Sequence, residues 1–148
     1  MKYFAYSQKE FIYKYVVMLS DIDQFKHMSF ANYLKLMFLA TDALMVGIPN
    51  CRELIQRYRL KTYQTNMQFK NQTVFGDSIL IKVNASNLIE DRFNLIFTYV
   101  IEETAALIAL GKQRLGFVVD NQSVPIPNGI EDLLEPITVD EENLLYKY

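Results

Sequence analysis

The sequence predicts an α+β fold in which one curved antiparallel sheet wraps around a single long central helix. Three observations carry that expectation. Residues 30–48 place apolar side chains at helical spacing, four strand-like runs follow with short turns between them, and one strand-like run precedes the helix. With 148 residues, 51% of them hydrophobic and 22% charged, the chain can bury a real core and is not disordered in composition. A single domain over 1–148 is expected, with its core at about 11–130 and an acidic C-terminal tail.

Each element has a local reason. Residues 11–19 are rich in Tyr, Val and Ile and read as a strand. Then the period changes: Phe30, Tyr33, Leu34, Met37, Phe38, Thr41, Leu44, Met45 and Ile48 follow the i, i+3, i+4 pattern of a helix. Leu36, Leu39 and Ala40 fill the gaps, so this helix is apolar over most of its circumference and is expected to be largely buried. Ser29 is the candidate N-cap, and Gly47 with Pro49 ends the helix. A shorter helix is expected over 51–60, with Leu54, Ile55 and Tyr58 on one side. Strands are expected at 63–69, 78–88, 92–103 and 106–120, with turns at Gly76-Asp77 and Glu90-Asp91. Gly111 and Gly116, inside the last of these, predict bulges or the close approach of another backbone. Pro125 and Pro127 end the sheet, Asn128 is placed to cap a short helix before Pro136, and the acidic tail from Asp140 is expected to be mobile. One sheet of this size can neither hide such a helix fully nor protect its own edges. A homodimer is therefore expected, with a homotetramer as the extension of it.

Several function classes are excluded early. A net charge of -2 implies no general affinity for nucleic acid or for an anionic membrane. One cysteine, Cys51, and one histidine, His27, rule out an intrachain disulfide and a multi-histidine zinc site, and no metal is expected. The first ten residues lack the apolar core and cleavage pattern of a secretory signal, and no apolar run is long enough to span a bilayer, so a soluble cytoplasmic protein is the expectation.

The chemistry concentrates in residues 21–33, the loop between the first strand and the long helix. Two carboxylates, Asp21 and Asp23, meet His27 and a helix N-terminus there. A carboxylate supplies base or nucleophile chemistry, and the unpaired N–H groups of a helix start suit a developing oxyanion. Those are the parts needed to hydrolyse an ester or thioester. Asp and Ser are also ordinary turn and cap residues, so the local chemistry alone leaves both readings open.

Asp21, Asp23, His27, Ala31, Asn32 and Tyr33, followed by the Gly76-Asp77 turn, Gly111 and the 118–120 segment before Pro125-Ile126-Pro127, resemble the hot-dog-fold thioesterases of the 4-hydroxybenzoyl-CoA thioesterase type. The resemblance spans roughly residues 11–130. It implies a hot-dog fold and hydrolysis of an acyl-CoA or acyl-carrier-protein thioester, the acyl group a polyketide or fatty chain. Coenzyme A or phosphopantetheine then enters as part of the substrate, and no separate cofactor is implied. By the same resemblance Asp23 acts as nucleophile or general base, and the backbone N–H of Phe30 is the oxyanion donor.

His27 either polarises the thioester or holds the loop. Asn32 and Tyr33 either line the pocket or serve the core. For Asp21, one residue nearer the strand, loop structure is the preferred reading. Among the basic residues, Arg59, Lys70 and Lys112 are candidates for binding the phosphates of CoA or an acidic carrier protein, against the commoner role of solvated surface charge. The sequence departs from the pattern at Lys26, where a glycine is usual, so the loop is not free to use a positive φ there. The usual acid on the central helix is replaced near Phe38 or Leu39. These departures favour, as the alternative, a non-catalytic hot-dog protein that binds an acyl chain or its carrier.

Overall fold

Strands and helices come in successive blocks along the chain, where the apolar period switches between two and 3.6. The computed structural model describes residues 4–7, 10–48 and 50–146. It opens with a hairpin of β1 (Phe4–Ser7) and β2 (Glu10–Val16). Helix α1 spans Phe30–Val46 and α2 spans Cys51–Arg57. Then come β3 (Arg59–Phe69), β4 (Ser78–Ser86), β5 (Arg92–Ile101), β6 (Leu107–Val119), β7 (Gln122–Val124) and α3 (Asn128–Leu134).

The strands form one antiparallel sheet in the order β1-β2-β4-β5-β6-β3, with β7 pairing β6 beyond the end of β5. β3 is therefore an edge strand along its whole length. Strict alternation puts Ile79, Ile81 and Val83 of β4 and Phe93, Leu95, Phe97 and Tyr99 of β5 on the inner face, all with no exposed surface. They pack with Leu36, Met37, Ala40 and Leu44 of α1, and burying each such large side chain contributes about 1.5–3 kcal/mol.

Several expectations need correction. The first strand ends at Val16, because Leu19–Asp21 closes into a 3-10 turn. α2 stops at Arg57, Leu60 already belongs to β3, and Ile55 faces solvent while Leu54 and Tyr58 pack on the core. Asn128 is the first residue of α3, with Pro127 in the cap position. α1 is buried on one side only: Phe30, Leu34, Phe38 and Val46, four residues apart or a multiple of it, form an exposed stripe. The two glycines of β6 do not mark bulges, since the register shifts fall at Thr62/Gln64 and Tyr99/Val100. A Cβ on Gly111 would collide with the Met37 side chain, and one on Gly116 would lie 2.7 Å from the Asp91 carbonyl oxygen. Close approach is the correct half of that expectation. Pro49 lies outside the described residues, and the helix ends at Gly47 in an ordinary right-handed conformation.

The chain just before the acidic tail is docked on the sheet, and so is Glu141 at the start of the tail, so that part is not mobile as expected. Thr138 bridges Ala85 in parallel, Val139 N–H donates to the Ala85 carbonyl at 2.9 Å, and Glu141 is held by four side chains of the sheet's outer side.

Candidate active site

The loop before α1 folds into a miniature hairpin. Ile22 bridges Met28, the Asp23 N–H donates to the His27 carbonyl at 3.0 Å, and the Lys26 N–H donates to the Asp23 carbonyl at 3.0 Å. Closing so short a turn needs one left-handed residue, and Lys26 provides it at φ 66°. The expectation that this loop avoids a positive φ is thus overturned: the turn's hydrogen bonds outweigh a Cβ clash that costs roughly 1–2 kcal/mol. Met28, itself buried, pins the hairpin by donating its N–H to the Thr73 carbonyl at 3.1 Å.

Asp23 is exposed, and its Oδ1 accepts from Phe25 N–H at 2.8 Å and from His27 N–H at 3.4 Å. Both donors fall on Oδ1, so Oδ2 is not committed to the turn. Asp21 is different. Its Oδ2 accepts from the Tyr15 hydroxyl at 2.6 Å and from Met18 N–H at 2.8 Å, which is a loop-ordering role. Burial first, and then the hydrogen bond to Asp21, push the Tyr15 phenol far above its ordinary pKa. Asn32 likewise serves structure, its Nδ2 donating to the Asp21 carbonyl at 3.0 Å.

Ser29 occupies the N-cap position with extended backbone, but its side chain makes no capping bond. Phe30, as the first helical residue, has no intrahelical acceptor for its N–H. The start of α1 thus keeps the positive end of its dipole without a capping side chain. The Phe30 ring stacks on Phe69 with centroids 4.4 Å apart, and Tyr33 meets the same Phe69 edge-on at 5.4 Å. Tyr33 is buried. Its hydroxyl pairs with Thr73 Oγ1 at 2.8 Å, and its carbonyl accepts from the Tyr99 hydroxyl at 2.8 Å. Burial raises the Tyr33 pKa, and the Thr73 hydrogen bonds counter it only in part. Tyr33 is therefore a core residue that also shows a face to the cleft.

These groups surround one cleft of about 610 Å³, lined by Asp23, His27, Phe30, Tyr33, Phe69 and Lys70 among others. Five of the expected site residues meet there. Asn32, which is bonded to the Asp21 carbonyl, Arg59 and Lys112 do not. Arg59 sits at the far end of β3 from Phe69, ten residues and roughly 33 Å away along the strand, and its Nη2 donates to Asn121 Oδ1 at 3.2 Å. Lys112 alternates with Gly111, which faces α1, so its side chain leaves from the opposite face of the sheet. There its Nζ pairs with Glu141 Oε1 at 2.8 Å.

Of the other wall the sequence reading named Lys70 alone and missed its neighbours, Phe69 at the end of β3 and Asn71 and Gln72 after it, as well as Thr73, which holds the Tyr33 hydroxyl behind them. Its available signal was Tyr33, since a tyrosine on a buried helix needs a hydroxyl partner from some neighbouring segment. Among the described residues no group of three His, Cys, Asp or Glu side chains gathers to hold a metal, and no single helix is long and apolar enough to cross a membrane.

A model of the thioesterase-like superfamily matches residues 17–136, and the chain belongs to that superfamily. No curated protein matches it by sequence. Among solved structures, the dynemicin thioesterase superposes with a TM-score of 0.83 at 17% identity, covering 89% of this chain and 99% of that one. A hypothetical protein from Staphylococcus aureus in complex with CoA gives 0.79 at 17% identity, covering 90% of this chain and 86% of that one. A gentisyl-coenzyme A thioesterase gives 0.73 at 21% identity, covering 84% and 98%. Those likenesses establish the hot-dog fold.

Proposed function

We propose that this protein hydrolyses an acyl thioester of coenzyme A or of a carrier protein in the cleft at the start of α1. The observation that carries the reading is the convergence of the Asp23 carboxylate, His27, the uncapped helix start at Phe30 and the Lys70 ammonium on one aromatic-walled cleft. Asp23, through its uncommitted Oδ2, attacks the thioester carbonyl or takes a proton from an attacking water. The Phe30 N–H and the helix dipole hold the oxyanion that forms as the C=O opens, and collapse expels the thiolate. If the carboxylate attacks, the resulting acyl-aspartyl anhydride is then cleaved by water, and carboxylic acid and free thiol leave. His27 positions the water. Tyr33, Phe30 and Phe69 form the wall against the acyl group, and Lys70 meets phosphate at the mouth. The protein acts in the cytoplasm.

The active form we infer is a homodimer. β3 offers eleven residues of unpaired edge, and the exposed Phe30–Leu34–Phe38 stripe lies on the same side of the chain as Phe69. Antiparallel pairing of two β3 edges about their middle would bring Arg59 of one copy toward the Phe69 end of the other, which returns it to phosphate binding. Arg59 has no such role in a single copy.

One observation favours a second reading, binding of an acyl chain without hydrolysis: Asp23 already serves its turn through Oδ1. A thiol-release screen across acyl lengths, on CoA and on carrier protein, separates the two when run with Asp23→Asn. Release by the parent and none by the variant supports hydrolysis. Saturable binding with no release from any thioester supports the second reading, and full release by the variant removes Asp23 from the mechanism.

A further inference from the structure

The outer face of the sheet, away from α1, carries a second hollow of about 230 Å³. Gln64 and Asn66 of β3, Lys112 and Arg114 of β6 and Asn94 of β5 line it. The ladder gathers them: Gln64 and Asn94 pair with Arg114 from either side, and Asn66 pairs with Lys112, so these side chains share one face. It is the face opposite to Gly111 and α1. No residue lines both this hollow and the acyl cleft.

The lining holds two cations and three amides and no acid. Lys112 Nζ donates to Glu141 Oε1 at 2.8 Å, which leaves it further N–H groups. Arg114 donates through Nη1 to Asn94 Oδ1 at 2.9 Å and meets no carboxylate among the described residues. Two residues apart on one face of a strand, Lys112 and Arg114 stand about 7 Å from each other and repel. A guanidinium cannot shed its proton to relieve that repulsion. Arg92 and Lys61, both paired with Gly116, add two more cations to this face, 3.8 and 5.0 Å from the centre of the Tyr63 ring. Solvation accounts for scattered surface charge. It does not account for donors from three strands gathered in one hollow around a buried amide, Asn94.

We propose that this hollow binds a small phosphate group, and that its occupancy is linked to the docking of Glu141. Arg114 would grip two phosphate oxygens with its planar fork, Lys112 would divide its N–H groups between phosphate and Glu141, and the Gln64 and Asn66 amides would complete the shell. The volume lies below the roughly 300–1,000 Å³ of sites for drug-sized ligands, which limits the ligand to inorganic phosphate or a small phosphate ester. Glu141 competes for Lys112, so removing its charge should tighten phosphate binding, and phosphate in turn should loosen the chain at Glu141. Edge-to-edge pairing of β3 leaves this face open, and the inference does not depend on what the acyl cleft does.

The test titrates phosphate into the full chain against chloride at equal ionic strength, reading Tm and the NMR signals of the side-chain amides. Parent, Arg114→Gln, Glu141→Gln and Lys70→Ala proteins are compared, the last lacking the cation of the acyl cleft. In the parent, phosphate should raise Tm to a plateau and move the Gln64, Asn66 and Asn94 amide signals. Arg114→Gln should weaken binding tenfold or more, Glu141→Gln should strengthen it several-fold, and Lys70→Ala should leave it unchanged. A parent that answers phosphate no more than chloride overturns the proposal, and so does a folded Arg114→Gln that binds as the parent does. If Arg114→Gln fails to fold, saturation by phosphate without movement of the parent's three amide signals overturns it instead. Unchanged affinity in Glu141→Gln overturns the link to the tail. Loss of binding in Lys70→Ala, or displacement of phosphate by a non-hydrolysable acyl-CoA thioether, assigns the anion to the acyl cleft and overturns the site. Glycerol phosphate is run in parallel: tighter binding than inorganic phosphate supports an ester as the ligand, and weaker binding supports the free ion.

Discussion

Two carboxylates near lysines, one on each side of the sheet, make the most instructive comparison in the molecule. Glu141 sits against the outer face. It accepts from Lys112 Nζ at 2.8 Å, Ser86 Oγ at 2.6 Å, Asn87 Nδ2 at 3.3 Å and Asn94 Nδ2 at 3.4 Å. Burial alone would raise its pKa, but these donors and the Lys112 charge more than offset that and hold it below the ordinary value. Asp23 lies in the open cleft with two backbone N–H groups on one oxygen and the other uncommitted. The first carboxylate has its acceptor capacity used up and can only hold structure. The second keeps capacity in reserve at a cleft, which is the condition for chemistry.

That contrast breaks most sharply with Asp23→Asn. Thiol release should fall by about 10³-fold, the scale of a lost base or nucleophile, with Tm nearly unchanged because the amide oxygen can still accept the loop's N–H groups. Equal loss of rate and of Tm would make Asp23 the same kind of residue as Glu141.

The lysines give the next largest effect. Lys70→Ala should raise KM for acyl-CoA several-fold, roughly 1 kcal/mol of lost phosphate attraction, and leave kcat alone. Lys112→Ala should leave KM untouched and lower Tm instead. Steady-state kinetics on both variants, paired with thermal melts, exposes any reversal.

Glu141→Gln should cost ~1 kcal/mol of stability at neutral pH, because the group is still partly exposed. Its folded-state pKa lies below its unfolded value, so the contribution is complete above the unfolded pKa and disappears as pH falls through the folded one. Denaturant melts of parent and variant should therefore differ at pH 7 and converge in acid.

The smallest effect is expected at Lys26→Gly. Relieving the φ of 66° at that position stabilises the turn by a few tenths to about 1 kcal/mol, reduced by glycine's extra freedom in the unfolded chain. A drop in Tm would mean that the Lys26 side chain contributes more than its backbone costs.

What was legible in the sequence divides along the same line. The alternation of Ile79, Ile81 and Val83, and the helical spacing of Tyr33, Met37, Ala40 and Leu44, made the sheet and its central helix readable, because both follow directly from burial on one face. The 21–33 loop was readable as a place where acid, imidazole and helix start meet. Its details were not. That Lys112 belongs to Glu141 depends on a contact between segments 29 residues apart, while that Asp21 serves Tyr15 and that Lys26 is left-handed depend on how the chain turns locally after β2. β1 was missed because a four-residue strand has too few residues to display a period. The docking of residues 138–141 was missed because acidic composition signals solvent unless its partners are known.

In the reaction proposed above, Phe30 would serve the cleft twice, through its main-chain N–H at the head of α1 and through its ring, which stacks on Phe69. A substitution that reshapes the wall at this position also re-seats the peptide plane beside it. Broadening the range of guests here and preserving the rate of their conversion are thus mechanically tied. Laboratory evolution aimed at new substrates should find its gains without loss of speed at Phe69, whose own backbone takes no part in the helix.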